Sequence, residues 1–164
     1  MAENAPRVLS EAEVSSLIPH ERPFRFIDGA TILEPGKKAI APLSDMTHPD
    51  FDYLKAHFKG MQIIPGAILV EAMAEVLGVA AASSGENSEG KMGVFRRIKD
   101  ITFRLPVRPT DSVTLEAELT AFRHDVGIGK VRALLGERVA VQGVISFALA
   151  DREQLVAALQ SGEE

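Results

Sequence analysis

The stretch from His57 to Glu71 collects three groups that together can remove a proton beside a carbonyl. His57 offers an imidazole, the side chain whose charge changes near neutral pH and which often serves as a general base. Gly66 follows Pro65 where a helix is predicted to begin. Its N–H therefore lies at the positive end of that helix, where it can stabilise an oxyanion. Glu71 adds a carboxyl group on the same helix, so we predict His57, Gly66 and Glu71 as catalytic residues.

These groups depend on one long helix, predicted over residues 66–84. The segment is rich in alanine and apolar nearly all round, a pattern typical of a helix buried on most sides. A short helix is predicted over 9–18, where Ser10 and Glu13 fit a capping box, and a terminal helix over 151–160. Of the three, the central helix is expected to form the core.

The rest of the chain shows the alternation of β-strands. Between residues 114 and 122, leucines and alanines alternate with threonines and glutamates. This period of two residues is typical of a strand with one solvent-exposed face. A hairpin is predicted from strands at 24–33 and 38–46 around a turn at Pro35-Gly36. Further strands are predicted within 93–107, 130–135 and 139–150, with a turn at residues 127–129.

The order of these elements predicts an α+β fold in a single domain, 1–164, with an antiparallel sheet wrapped around the long helix. One sheet cannot cover an apolar helix on every side. A second copy of the chain is the simplest way to complete the core, so we predict a homodimer.

Composition excludes several classes of function. The chain has 164 residues, no cysteine, no tryptophan and a net charge of −5. Disulfides, thiolate metal sites and a cysteine nucleophile are therefore excluded, and such an acidic chain is a poor nucleic-acid binder. Glu71 and Glu75 interrupt the longest apolar stretch, so no membrane helix is predicted, and no signal peptide is expected. We predict a cytoplasmic protein.

Three blocks of sequence resemble one enzyme family. The first is His57-Phe58, then Pro65-Gly66 and an aliphatic run into Glu71-Ala72. The second is Pro19-His20 through Pro23-Phe24, where His20 is predicted to hold a turn. The third is Phe103-Arg104-Leu105-Pro106-Val107. Together they resemble the 3-hydroxyacyl-[acyl-carrier-protein] dehydratases of FabZ type over roughly residues 14 to 150.

The resemblance implies a hotdog fold with an active site at a dimer interface, the histidine coming from one subunit and the glutamate from the other. It implies reversible removal of water from a 3-hydroxyacyl thioester on acyl carrier protein, giving a trans-2-enoyl thioester without cofactor or metal. Dimers of this family often assemble into hexamers, as trimers of dimers.

The resemblance also implies roles for residues. His57 takes the Cα proton, Glu71 delivers a proton to the departing hydroxyl or orients the water, and the Gly66 N–H holds the thioester carbonyl. Substrate-binding positions are expected at Phe58, Pro65, Ile68 and Phe95.

Four positions depart from the family pattern. Lys59 and Gln62 stand where the family has prolines, Ala56 where it has glycine, and Glu75 where it has glutamine. The missing prolines predict a looser catalytic loop, and Glu75 predicts a like-charge pair with Glu71. The chain is expected to be a divergent member, serving fatty acid or specialised acyl or polyketide-type biosynthesis.

A basic segment follows the central helix. Its cations are Lys91, Arg96, Arg97, Lys99, Arg104 and Arg108, against the single acid Asp100. One interpretation is a solvated strand face. The other, which the resemblance favours, is that Lys91, Arg96, Arg97, Lys99 and Arg104 form a docking surface for the acidic acyl carrier protein.

Two other functions remain open at this point. A hotdog thioesterase would need a carboxylate to activate water, and Glu71 or Glu75 could serve. A catalytically weak carrier-binding subunit is favoured by the loss of the loop prolines. A metal site from His48, His57, Glu71 and Glu75 lacks any recognised ligand spacing, so none is predicted.

Overall fold

A seven-stranded antiparallel sheet and one long helix form the framework of the computed structural model, which describes residues 5–85 and 90–162. The strands are β1 (Arg7–Leu9), β2 (Ala30–Glu34), β3 (Lys38–Pro42), β4 (Lys91–Phe103), β5 (Val113–Arg123), β6 (Val126–Leu135) and β7 (Arg138–Asp151). They are ordered β1-β2-β3-β5-β6-β7-β4, and every neighbouring pair is antiparallel. The predicted fold class, a sheet wrapped around a long helix, is confirmed.

Helices occupy three segments, with a 3₁₀ helix at Pro49–Ala56. The α-helices are α1 (Glu11–Leu17), α2 (Gly66–Ala82) and α3 (Arg152–Ser161). Their ends differ by no more than two residues from the predicted 9–18, 66–84 and 151–160. The single domain predicted over 1–164 also includes residues 1–4, 86–89 and 163–164, which lie outside the described residues.

The long helix α2 is the centre of the core. Ala72, Met73, Val76 and Val79 are fully buried, and the helix packs against β3, β5 and β6. This burial follows from its sequence, which is apolar around nearly its whole circumference. Among the described residues, no helix is both long and apolar enough to span a membrane.

The prediction of a turn at residues 127–129 is wrong. Gly127 and Gly129 lie inside β6, and the chain reverses instead at His124-Asp125. Both turn residues have positive φ, 50° and 61°, as a two-residue hairpin turn of type I′ requires. The glycines serve packing, since a Cβ at Gly127 would lie 2.3 Å from the Phe147 ring.

The first hairpin is also shorter than predicted. The strand expected at 24–33 begins only at Ala30, and the one expected at 38–46 ends at Pro42. The reason is that the Phe26 N–H donates to the Glu75 carboxyl and not to a strand. The Phe26 carbonyl still accepts from the N–H of Ser44, just after β3. The segment before β2 is thereby tied to α2 on one side, and the regular pairing with β3 does not extend to it.

Candidate active site

His57 lies directly after the 3₁₀ helix and is held by its own loop. Its Nδ1 is 3.0 Å from the carbonyl oxygen of Ile63, and its ring stacks on Phe58 with centroids 4.0 Å apart. A carbonyl oxygen only accepts hydrogen bonds, so Nδ1 carries the proton and donates it. In the neutral imidazole, Nε2 therefore has the free lone pair that a general base needs.

The loop after His57 is closed by backbone hydrogen bonds. The Phe58 N–H donates to the Met61 carbonyl (2.9 Å), and the Met61 N–H donates to the Phe58 carbonyl (3.1 Å). Gly60 has φ of 78°, which makes this a type II turn with Lys59 at its second position. Proline is favoured at that position, which explains the family proline there. These hydrogen bonds close the loop without proline. The looser loop stays a prediction.

Gly66 is the first residue of α2, with Pro65 as its N-cap. The first N–H groups of a helix have no partner within the helix, so the Gly66 N–H is available to an oxyanion. The ring of Phe103 lies against this glycine. A Cβ at Gly66 would be 2.5 Å from Cε1 of Phe103, so a larger residue would displace that ring.

Glu71 faces a cavity of about 590 Å³ that runs along one side of α2. Its carboxylate oxygen Oε1 lies 3.0 Å from Nε2 of His20. The hydrogen bond to Glu71 raises the pKa of His20, and the negative charge of Glu75 raises it further, against the opposing effect of burial. His20 was predicted to hold a turn. It contacts a predicted catalytic residue instead, across 51 positions of sequence.

Glu75 lies one turn further along α2 and is only 1% exposed. Its two carboxyl oxygens accept from the Phe26 N–H at 3.2 and 2.9 Å. Burial raises the pKa of Glu75 to about 7, although the Phe26 N–H and the charge of His20 act in the opposite direction. The nearby Glu71 charge also favours its protonated form.

Among the described residues, His20, Glu71 and Glu75 form a group close enough to hold a metal ion, with ligand atoms within 4.8 Å of one another. Their contacts favour a different role. His20 and Glu71 are bonded to each other, and both Glu75 oxygens already accept from Phe26. We interpret the group as a set of side chains that share protons.

The cavity brings together only part of the predicted site. Glu71 and Phe95 line it, with His20, Glu75 and an apolar wall that includes Phe147. The other predicted catalytic and substrate-binding residues lie outside that lining within a single chain. These are His57, Phe58, Pro65, Gly66 and Ile68.

Most of the predicted docking cations lie on β4, at the edge of the sheet. Arg96, Arg97 and Arg104 are exposed, whereas Lys91 pairs with Asp125 at 2.9 Å, which leaves it less available. Lys99 is also exposed, 3.6 Å from the neighbouring Asp100. The same edge exposes large apolar side chains, at 44% for Phe95, 50% for Ile98 and 55% for Phe103.

The architecture and this site define the hotdog class of FabA-like domains, and the sequence profile of the FabA-like domain family matches residues 18–143. The chain is 40% identical over 144 residues to the 3-hydroxyacyl-[acyl-carrier-protein] dehydratase FabZ of Acetivibrio thermocellus, covering 88% of this chain and 97% of the relative. It is 37% identical over 145 residues to FabZ of Clostridioides difficile, covering 88% and 100%. The chain belongs to this dehydratase family, as the sequence resemblance predicted.

Solved structures agree on the fold. The dehydratase heterocomplex ApeI:P from Xenorhabdus doucetiae matches with a TM-score of 0.73 at 13% identity, covering 89% of this chain and 96% of that one. The fluoroacetyl-CoA thioesterase FlK matches with a TM-score of 0.63 at 15% identity, covering 80% and 98%. At such low identity these likenesses show the fold alone.

Proposed function

We propose that this chain dehydrates 3-hydroxyacyl thioesters on acyl carrier protein, with His57 as base and Glu71 as acid. This is the reaction of the FabZ relatives. The matched region of this chain covers nearly the whole length of each of them. The observation that carries the assignment of roles is the hydrogen bond from His57 Nδ1 to Ile63, since it leaves Nε2 free to accept a proton.

The proposed chemistry is an elimination. Nε2 of His57 takes the proton from C2 while the Gly66 N–H holds the thioester carbonyl oxygen as it gains negative charge. The bond between C3 and its hydroxyl oxygen breaks, a double bond forms between C2 and C3, and Glu71 gives a proton to the departing hydroxyl. Water leaves, and the proton on His57 must return to Glu71 before the next turnover.

The active site is proposed to be shared by two chains. The cavity that contains Glu71 has no His57 of its own chain in its lining, which supports a base supplied by a second copy. Within the described part of the chain, the edge strand β4 pairs on one side only, with β7, and it exposes Phe95, Ile98 and Phe103. A second copy joined at this edge would cover these side chains. Assembly into a trimer of dimers stays a prediction.

Acyl carrier protein is proposed to dock on the basic residues of β4 and the segment after it. Arg96, Arg97 and Arg104 are the exposed cations on which this proposal relies, with Lys99 and Lys91 at its margin because each faces an aspartate. The chain as a whole is acidic and would repel a negatively charged partner, so this local concentration of positive charge is what would attract and orient it. A cytoplasmic location is part of the same proposal.

The thioesterase and carrier-binding alternatives have less support. The likeness to FlK shows only the fold, whereas the likeness to FabZ extends over most of both sequences. A carrier-binding subunit without activity was favoured by a loose catalytic loop. The two backbone hydrogen bonds that close the loop argue for a held His57 and against this alternative.

The test is conversion of 3-hydroxyacyl-acyl carrier protein, with short and long acyl chains, followed by mass spectrometry as loss of water. Wild type is expected to form the enoyl product, and His57→Ala to form almost none. His124→Asn is the matched control, because His124 is an exposed histidine in the turn between β5 and β6, where asparagine also tolerates a positive φ. No turnover by a folded wild-type protein would overturn the function, and activity that survives His57→Ala would overturn the site assignment.

A further inference from the structure

Glu75 is a buried carboxyl group that the dehydration chemistry does not use. Its side chain is 1% exposed and sits one turn beyond Glu71 on the same helix. A carboxyl group so buried is costly in its charged form unless its surroundings compensate. The Phe26 N–H supplies one compensating donor, shared by both carboxyl oxygens.

The surroundings of Glu75 connect it to the active site. His20 and Glu71 each place a polar atom within 4.8 Å of the Glu75 carboxyl and of each other. His20 is bonded to Glu71 at 3.0 Å, so one imidazole faces two carboxyl groups. Arg25, which also pairs with Glu11, adds a positive charge that favours the ionised form of Glu75.

The charges in this group depend on one another. An ionised Glu75 favours the imidazolium form of His20. Because His20 is bonded to Glu71 at 3.0 Å, this effect keeps a proton on the His20–Glu71 pair. Loss of the Glu75 charge would therefore release that proton at lower pH.

We propose that Glu75 is a positioning residue whose negative charge holds the proton on the His20–Glu71 pair, and so keeps the acid of the dehydration reaction loaded at alkaline pH. The inference rests on the proposed function for Glu71. Its basis is the arrangement of one imidazole against two carboxyl groups, one of them fully buried. Burial raises the pKa of Glu75 to about 7, so its charge is present over the alkaline range where this effect is needed.

The first test is the pH profile of kcat/KM for dehydration in wild type and Glu75→Gln. Glutamine has nearly the same shape and keeps one oxygen that can accept from the Phe26 N–H. The variant removes the charge and exchanges the second oxygen for an NH₂ group. We expect the alkaline limb to move about one pH unit toward lower pH, as removal of one nearby charge implies. Alkaline limbs that coincide in the two proteins would overturn the inference, because a purely structural role predicts no shift.

The second test does not depend on activity. The chain has four histidines, so the ring resonances of His20 can be followed by NMR and assigned with a His20→Gln variant. His20 is expected to titrate about one pH unit lower in Glu75→Gln than in wild type, while the exposed His48 does not change. An unchanged His20 titration would contradict the proposal.

The two tests separate two kinds of failure. A wild-type protein without dehydratase activity, but with the His20 shift, would remove the proposed function and leave the coupling of Glu75 to His20. An active wild type with neither shift would remove only the role of Glu75. Should Glu75→Gln not fold, the wild type alone is sufficient. Its His20 resonances should respond twice, once as Glu75 ionises near pH 7 and once as His20 loses its proton. A single response would contradict the inference.

Discussion

The two histidines of the site are held by different kinds of contact. His57 is fixed by a backbone carbonyl in a loop whose own backbone groups close it, with Phe58 and Met61 exposed on its surface. His20 is fixed by the side chain of Glu71, beside the buried Glu75. This difference between backbone and side-chain contacts indicates which part of the candidate site tolerates substitution. Backbone contacts survive changes such as Lys59 and Gln62, whereas side-chain contacts depend on residue identity.

The largest expected effect comes from the loop histidine. His57→Ala should lower kcat for dehydration by about 10³-fold, since a positioned general base typically contributes 10²- to 10⁴-fold. His20→Ala should cost less, because the proposed mechanism gives the acid role to Glu71 and His20 is only its hydrogen-bond partner. Steady-state rates of the two variants measure this difference. Equal losses of kcat would contradict the distinction between the two histidines, because they would place both imidazoles at the same step.

A smaller effect is expected on stability, from the buried side-chain group. The pKa of Glu75 is raised from 4.5 to about 7, so the folded protein binds this proton more tightly than the unfolded chain does. That contribution is complete below pH 4.5 and is lost as pH rises through 7. Relative to Glu75→Gln, wild type should lose about 3 kcal/mol of unfolding free energy across this range.

Urea unfolding of both proteins at several pH values measures this loss. The control repeats the comparison in a His20→Gln background, because His20 is itself expected to titrate differently in wild type and in Glu75→Gln. Two curves that stay parallel from pH 4 to 8 would show that Glu75 is ionised at ordinary pH in the folded protein, and would weaken the contrast between the two regions.

The smallest effect is expected in the loop. Lys59→Pro places proline at the second position of a type II turn, where its φ is favoured. It should raise the unfolding free energy by about 0.4–1 kcal/mol and change kcat by less than about twofold. Thermal unfolding and steady-state kinetics check both values. A large gain in kcat would show that the wild-type loop is looser than its hydrogen bonds indicate.

The sequence predicted well those parts of the molecule that depend on local pattern. The apolar run of α2, the capping box at Ser10 and the alternation in β5 each indicated the element that the structure contains. The hairpin at His124-Asp125 was missed because it uses positive φ in residues other than glycine. Gly127 attracted the turn prediction, although its role is to make room for Phe147.

The parts that could not be predicted are long-range contacts made by side chains, to other side chains or to the backbone. His20 and Glu71 are separated by 51 residues, and Phe26 and Glu75 by 49. No spacing in the sequence shows that these pairs meet. The one indication was Glu75 itself, a carboxyl group in an apolar helix where the family has glutamine. A buried charge of this kind needs partners, and those partners are what the structure adds.

In the proposed dimer, each active site takes His57 from one chain and Glu71 from the other. The test is to mix the His57→Ala and Glu71→Gln variants, each expected to be inactive alone, and to assay dehydration after their subunits have exchanged. A mixed dimer would contain one intact site of two, so random exchange should restore about one quarter of wild-type activity. His57→Ala mixed with the double variant His57→Ala, Glu71→Gln is the control and should stay inactive. Failure to restore activity in dimers shown to have exchanged would contradict the shared site.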